Sequence, residues 1–190
     1  MNTAGKPLSS RGLRLRRIPP VLRQRALAAA AQGDVTFFRF ADSNQSLAIF
    51  LENHRWFERY GLYEKALLAA WVNQKWVPPD GDALMRDALL RADRQRLLDA
   101  SDALPEGETF VLYRGVQQGR PRGVSWTFSD EVARIFAHLP YEQEPGTVYT
   151  TTVSRAAIYA HIHESGREEA ECLLVLPPDY PITSVANQVP

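Results

Sequence analysis

The feature that most constrains the fold is a change of period at Pro105-Glu106-Gly107-Glu108. Before it, apolar residues recur every three or four positions, as they do in helices with one buried face. After it, short β-branched and aromatic runs stand between turn residues, as strands do. Helices first and strands second predict an α+β fold with a mostly antiparallel sheet. The expected division is a flexible basic arm over 1–20, a helical subdomain over 21–104 and a β-rich part over 105–190.

Within the helical half, the Ala- and Leu-rich run Val21 to Gln32 predicts a helix ended by Gly33. A second helix is expected from near Leu47, capped by Ser43 or Ser46 and broken at Gly61. A third runs from Tyr63 to Trp76, and a fourth from Asp82 to Ser101, with Pro78-Pro79-Asp80-Gly81 between them. Trp56, Phe57, Trp71 and Trp76 read as core. In the second half, Thr109–Val116, Val124–Phe128, Thr147–Val153 and Ala170–Leu176 read as strands, and 179–190 as a further edge. Ser129 is placed to cap a short helix whose apolar face is Val132, Ile135 and Phe136.

Composition excludes several classes. A chain of 190 residues buries a core without staples, and a single cysteine, Cys172, excludes an internal disulfide framework. The 22 basic residues are balanced by 22 acidic ones, so no global field favours nucleic acid or a membrane surface. No apolar run is long enough to span a bilayer. The basic N-terminus leads into Pro19-Pro20 instead of a signal-peptide core. The expected place of action is a cytoplasm, of the producing cell or of a target bacterium.

Three pieces of the second half carry chemistry. Arg114, in Phe110-Val111-Leu112-Tyr113-Arg114-Gly115, is costly in an apolar strand unless paired. Its fork suits phosphate or carboxylate, either a ligand's or one of the chain's own glutamates. Gly115 would let a ligand approach the backbone. Ser125 and Thr127 are two apart, so they share one strand face and Trp126 takes the other. Those hydroxyls suit a carboxylate or a sugar hydroxyl, or else a solvent-facing side. Glu169 and Glu171 are also two apart. If both lie in the strand they share a face, and their repulsion raises the pKa of one; otherwise they decorate a charged loop. His161-Ile162-His163 lacks a well-placed third metal ligand, so a structural role is expected and no metal. Cys172 reads as a buried small residue.

Taken together, Tyr113-Arg114-Gly115, Ser125-Trp126-Thr127 followed by Ala133 and Phe136, and Glu169-Ala170-Glu171 before an aliphatic strand resemble the Arg-Ser-Glu class of mono-ADP-ribosyltransferases. The match covers roughly residues 109–178. That class includes bacterial toxins and enzymes carried by bacteriophages, so the resemblance implies a toxin, an effector or a phage–host conflict protein. It implies a split β-sandwich with helical flanks, NAD as co-substrate, and transfer of ADP-ribose to a macromolecule. It assigns Arg114 to the NAD phosphates, and Gly115 to the nicotinamide amide through its backbone. Ser125 and Thr127 would orient the catalytic carboxylate, with Trp126 between them counted among the cofactor-binding residues, while Phe136 and Tyr113 would line the nicotinamide pocket. Glu171 would bind the ribose and stabilise the cation, and Glu169 would act on the acceptor, with arginine the first acceptor to test. Two features depart from the family. Its commoner Ser-Thr-Ser is Ser125-Trp126-Thr127 here, and only ten residues separate Arg114 from Ser125. The short spacing points to a compact variant. Two other readings compete: a non-catalytic module of this fold that binds NAD or a partner, and a nucleic-acid-directed protein using the arginine-rich arm.

Overall fold

The computed structural model describes residues 7–75, 78, 80–117, 122–138, 146–163 and 169–185. The chain forms two compact units, Met1–Pro78 and Pro79–Pro190. The boundary expected near residue 104 therefore falls too late. The Pro-rich stop at 78–81 separates the units, and the helices that follow it belong with the strands.

The first unit holds α1 (Pro20–Ala31), a 3-10 turn (Val35–Phe40), α2 (Ser46–Arg59) and α3 (Tyr63–Asn73). Proline at the first position of α1 sacrifices no helical hydrogen bond. Gly33, with φ 72°, ends that helix as expected. The core is aromatic. Phe37 and Phe38, from the 3-10 turn, stack with centroids 4.8 Å apart and lie against Phe57, which also stacks on Phe50. Trp56, Phe57 and Trp71 are buried as expected; Trp76 lies outside the described residues.

The flexible arm expected over 1–20 is corrected for residues 7–19, which are built into this unit. Leu15 and Ile18 are buried. Asn53 of α2 accepts from the Arg14 amide at 2.6 Å and donates to the Arg14 carbonyl at 2.9 Å. The Trp56 indole donates to the Ser9 carbonyl. Arg16 and Arg17 both pair with Glu52. A buried asparagine satisfying an irregular backbone leaves no mark on hydropathy, so the sequence pattern read this segment as a tail.

The second unit begins with α4 (Gly81–Arg91) and α5 (Arg94–Ala100). One helix was expected over 82–101. Ala92 is extended instead, and the Asp93 carboxylate caps a new helix by accepting from the Arg96 amide. The strands are β1 (Thr109–Val116), β2 (Ser125–Thr127), β3 (Thr147–Ser154), β4 (Ile158–Ile162), β5 (Glu171–Leu174) and β6 (Thr183–Ser184), with α6 (Asp130–Ala137) between β2 and β3. They form one six-stranded sheet in the order β4-β5-β2-β1-β3-β6, every pairing antiparallel. The architecture is thus α+β, with one continuous sheet where the resemblance implied a split sandwich. Strand β4 was not expected, because Ile158-Tyr159-Ala160-His161-Ile162 is short and carries a bulge against β5. Its outer edge is covered: Arg94 donates to the carbonyls of Ile158 and Arg155, and the Asp102 amide to that of His161.

One sheet face carries an apolar cluster of Phe110, Leu112, Trp126, Val153, Ile158, Cys172 and Leu174. On the other, α6 packs on β1 and β3 through Ala133, Ala137 and Val148. The expected apolar face of α6 is also corrected: Ile135 is 58% and Phe136 36% exposed. A Cβ on Gly115 would collide with the Ala133 carbonyl. The helix backbone therefore rests directly on β1, and only alanines fit at that contact. No helix among the described residues is long and apolar enough to cross a membrane.

Candidate functional site

The three sequence pieces fall on three adjacent strands. Arg114 is on β1, Ser125 and Thr127 on β2, and Glu171 at the start of β5, in the spatial order β5-β2-β1. Thr127 is the cross-strand partner of both Tyr113 and Glu171. Directly opposed residues of antiparallel strands share a face, so Tyr113, Thr127 and Glu171 form one row across the sheet. Ser125 lies on the same face, beside Leu173. Trp126 points to the opposite face, is fully buried in the apolar cluster and donates from its indole to the Gly123 carbonyl at 2.9 Å.

Arg114 leaves β1 from the opposite face to that row, since it follows Tyr113 and pairs with Tyr149 of β3. The β1–β2 ladder pairs Tyr113 with Thr127, so Arg114 sits where the two strands part. There its guanidinium reaches β2: Nη1 donates to the Ser125 carbonyl at 2.7 Å. Nη2 pairs with the Asp82 carboxylate at 3.2 Å. The arginine does meet a carboxylate of its own chain, but from α4 and not one of the glutamates weighed from sequence. A Cβ on Gly123 would overlap the guanidinium, so the group lies directly against that residue. Neither Asp82 nor this use of Gly123 was foreseen. An aspartate in the first turn of a helix reads as an ordinary complement to the helix dipole.

Glu171 is 3% exposed. The turn before it is shaped by two features. Thr127 donates its hydroxyl proton to the Glu169 carbonyl at 2.6 Å and accepts from the Ser129 amide at 3.0 Å. Ala170, between the two glutamates, has φ 44°, the left-handed region that L residues with a Cβ rarely occupy. Glu169 stands outside β5, so strand alternation does not bring it onto the face of Glu171. Of the two arrangements open for this pair, the condition for a shared strand face, both glutamates in the strand, is not met.

The remaining candidates are placed as follows. Tyr113 is half-buried and packs on the Ala133–Ala137–Val148 cluster; Gly115 lies beneath α6. Phe136 is exposed on α6. The Ser129 hydroxyl accepts from the Val132 amide and caps that helix as expected. Burial pushes the Cys172 thiol well above its ordinary range, and the neighbouring Glu171 charge adds to the effect. A thiol held protonated in this way is no nucleophile. His161 is 5% exposed, and its Nδ1 donates to the Ala103 carbonyl at 2.8 Å. The His163 ring stacks on it with centroids 6.0 Å apart. Among the described residues, no group of three potential ligands is placed to hold a metal.

Comparison with family models, with curated proteins and with solved structures returned no match.

Proposed function

We propose that this protein is an NAD-dependent mono-ADP-ribosyltransferase whose site lies where β1, β2 and β5 meet. The observation that carries the reading is the placement of Glu171. A carboxylate almost withdrawn from water stands at a strand start, opposite Thr127 and directly after a residue in strained backbone conformation; β2 lies between its strand and that of Arg114, whose side chain leaves the other face of the sheet where β1 and β2 part. Burying a carboxylate is expensive, and strain of this kind gathers where a structure holds groups for chemistry.

In this reading the bond between nicotinamide and ribose breaks, and its electron pair leaves with nicotinamide. The ribose carbon becomes an oxocarbenium-like cation. Glu171 faces that positive charge and stabilises it more than it stabilises neutral ribose, which is how a fixed anion lowers such a barrier. Arg114 supplies the cation for the pyrophosphate, and Thr127 holds the turn that carries the carboxylate. Glu169, outside the strand, is the group nearer the acceptor, from which a proton must depart as the new bond forms. The proposed acceptor is a macromolecule, with protein arginine the first to test, in a toxin, effector or phage–host setting.

The test is incubation of the protein and a bacterial lysate with NAD carrying a label on its adenine. Nicotinamide release and label transfer to a macromolecule are expected, and both are lost in Glu171→Gln. Neither signal from folded wild-type protein overturns the reading.

One observation favours the non-catalytic alternative: the Arg114 fork is already engaged by Ser125 and Asp82. NAD binding measured without turnover would decide for it. Against the nucleic-acid reading stands the pairing of Arg16 and Arg17, two of the four arginines at 11–17, with Glu52.

A further inference from the structure

We infer that Asp82 is a positioning residue for Arg114: it acts with Gly123 and the Ser125 carbonyl to fix the guanidinium for an incoming dinucleotide phosphate. The inference rests on the reading just proposed. Arg114 is restrained by two segments of the chain, the start of α4 and the stretch from Gly123 to Ser125. The Ser125 carbonyl holds Nη1 at 2.7 Å, the Asp82 carboxylate holds Nη2 at 3.2 Å, and Gly123 leaves the guanidinium a space that a Cβ would fill. The same carboxylate accepts from the Val124 amide through its other oxygen at 3.3 Å. Asp82 thus ties the arginine to the backbone that leads into β2.

The pair is partly shielded, with side-chain exposures of 13% for Arg114 and 25% for Asp82. It is therefore neither a screened surface pair nor a dry one. A free arginine side chain samples many rotamers, and a ligand that must order it binds more weakly. Holding the fork in advance moves that cost from binding to folding. The opposing effect is charge: Asp82 also offsets the positive field that a phosphate would feel. The two effects carry opposite signs, so substitution separates them. Asp82→Ala removes both the hold and the charge. Asp82→Asn removes the charge and keeps an oxygen that can accept. Gly123→Ala displaces the guanidinium while leaving every charge in place, and the fold tolerates it because the displaced atoms are the end of a flexible side chain.

Calorimetric titration of NAD and of ADP-ribose into the full chain tests the inference, with thermal melts run on the same samples. Expected are about tenfold weaker binding for Asp82→Ala and for Gly123→Ala, and substantial rescue in Asp82→Asn. Tighter binding in both Asp82 variants makes the residue a competitor for Arg114 and overturns the inference. A lowered melting temperature with unchanged affinity reduces Asp82 to a structural tie and overturns it equally, as does wild-type affinity in Gly123→Ala. Each of those outcomes leaves the enzymatic reading standing. Wild-type protein that binds neither ligand removes that reading and this one together.

Discussion

Asn53 in the first unit and Glu171 in the second are both buried polar side chains, and they are used differently. Asn53 spends its amide on backbone: it accepts from Arg14 and donates to the carbonyls of Arg14 and Ile49. Its neighbours behave alike, with the Gln74 side chain accepting from the Leu47 amide, and Asn73 donating to Ser46. These groups close the fold around an aromatic core. Glu171 instead enters a strand directly after a left-handed alanine, beside a thiol whose ionisation it opposes. Buried polar atoms that complete the backbone explain themselves. A buried carboxylate directly after a left-handed residue is the feature of the second unit on which the proposed chemistry rests.

The sharpest way to break this contrast is a paired substitution. Glu171→Gln is expected to lower nicotinamide release by about 10²–10³-fold, the scale of losing one fixed electrostatic group in a transition state, with little change in melting temperature. Asn53→Ala is expected to show the reverse. Loss of its hydrogen bonds costs about 2–3 kcal/mol in denaturant unfolding, while turnover per folded molecule is retained. If Asn53→Ala abolishes turnover at full folding, the division of labour is wrong.

Alkaline stability comes next. The Cys172 thiol is raised in the folded state, so between its unfolded value of about 8.5 and its folded value the native protein holds a proton that the unfolded chain releases. Stability is complete below that range and falls as pH rises through it. Melting curves of wild type should decline above about pH 8.5, and Cys172→Ala should flatten the decline. The acid limb belongs to the first unit. Arg16 and Arg17 hold the Glu52 carboxyl below its ordinary range, Arg16 through the larger effect. That stability is present above about pH 4.3 and is lost as pH falls further. Glu52→Gln should show less acid sensitivity, read as a smaller difference in denaturation midpoint between pH 6 and pH 3, values chosen roughly to bracket that titration.

The smallest effect expected is at Ala170. Glycine adopts φ 44° without strain, so Ala170→Gly should stabilise the protein by at most about 1 kcal/mol, partly offset by the freer unfolded chain. Activity should fall, because a freer turn holds Glu171 less firmly. A variant both more stable and equally active would show that the strain serves nothing.

Much of the scaffold was legible in the sequence because local rules wrote it. Thr109–Val116 alternates over a full strand, Ser129 caps α6, and Gly33 and Gly61 end their helices. Strands β1, β2 and β5 could be read from apolar runs, yet their adjacency is a property of the whole sheet. What escaped was long-range or subtle. Asn53 anchors an irregular segment 39 residues before it. Asp93 breaks a helix that periodicity would have continued. Ala170 gives no residue-type signal of its left-handed backbone, so the sequence left open whether Glu169 joins the strand that Glu171 begins. The Asp82–Arg114 pair spans 32 residues, and only the folded chain discloses it.

The central claim is that Glu171 and Arg114 attend opposite ends of one bound dinucleotide. A crystal structure of Glu171→Gln grown with NAD tests this most directly. The account predicts intact NAD, its nicotinamide ribose within hydrogen-bond reach of residue 171 and its pyrophosphate on the Arg114 guanidinium. NAD bound away from β1, β2 and β5, or with its phosphates clear of Arg114, would contradict it.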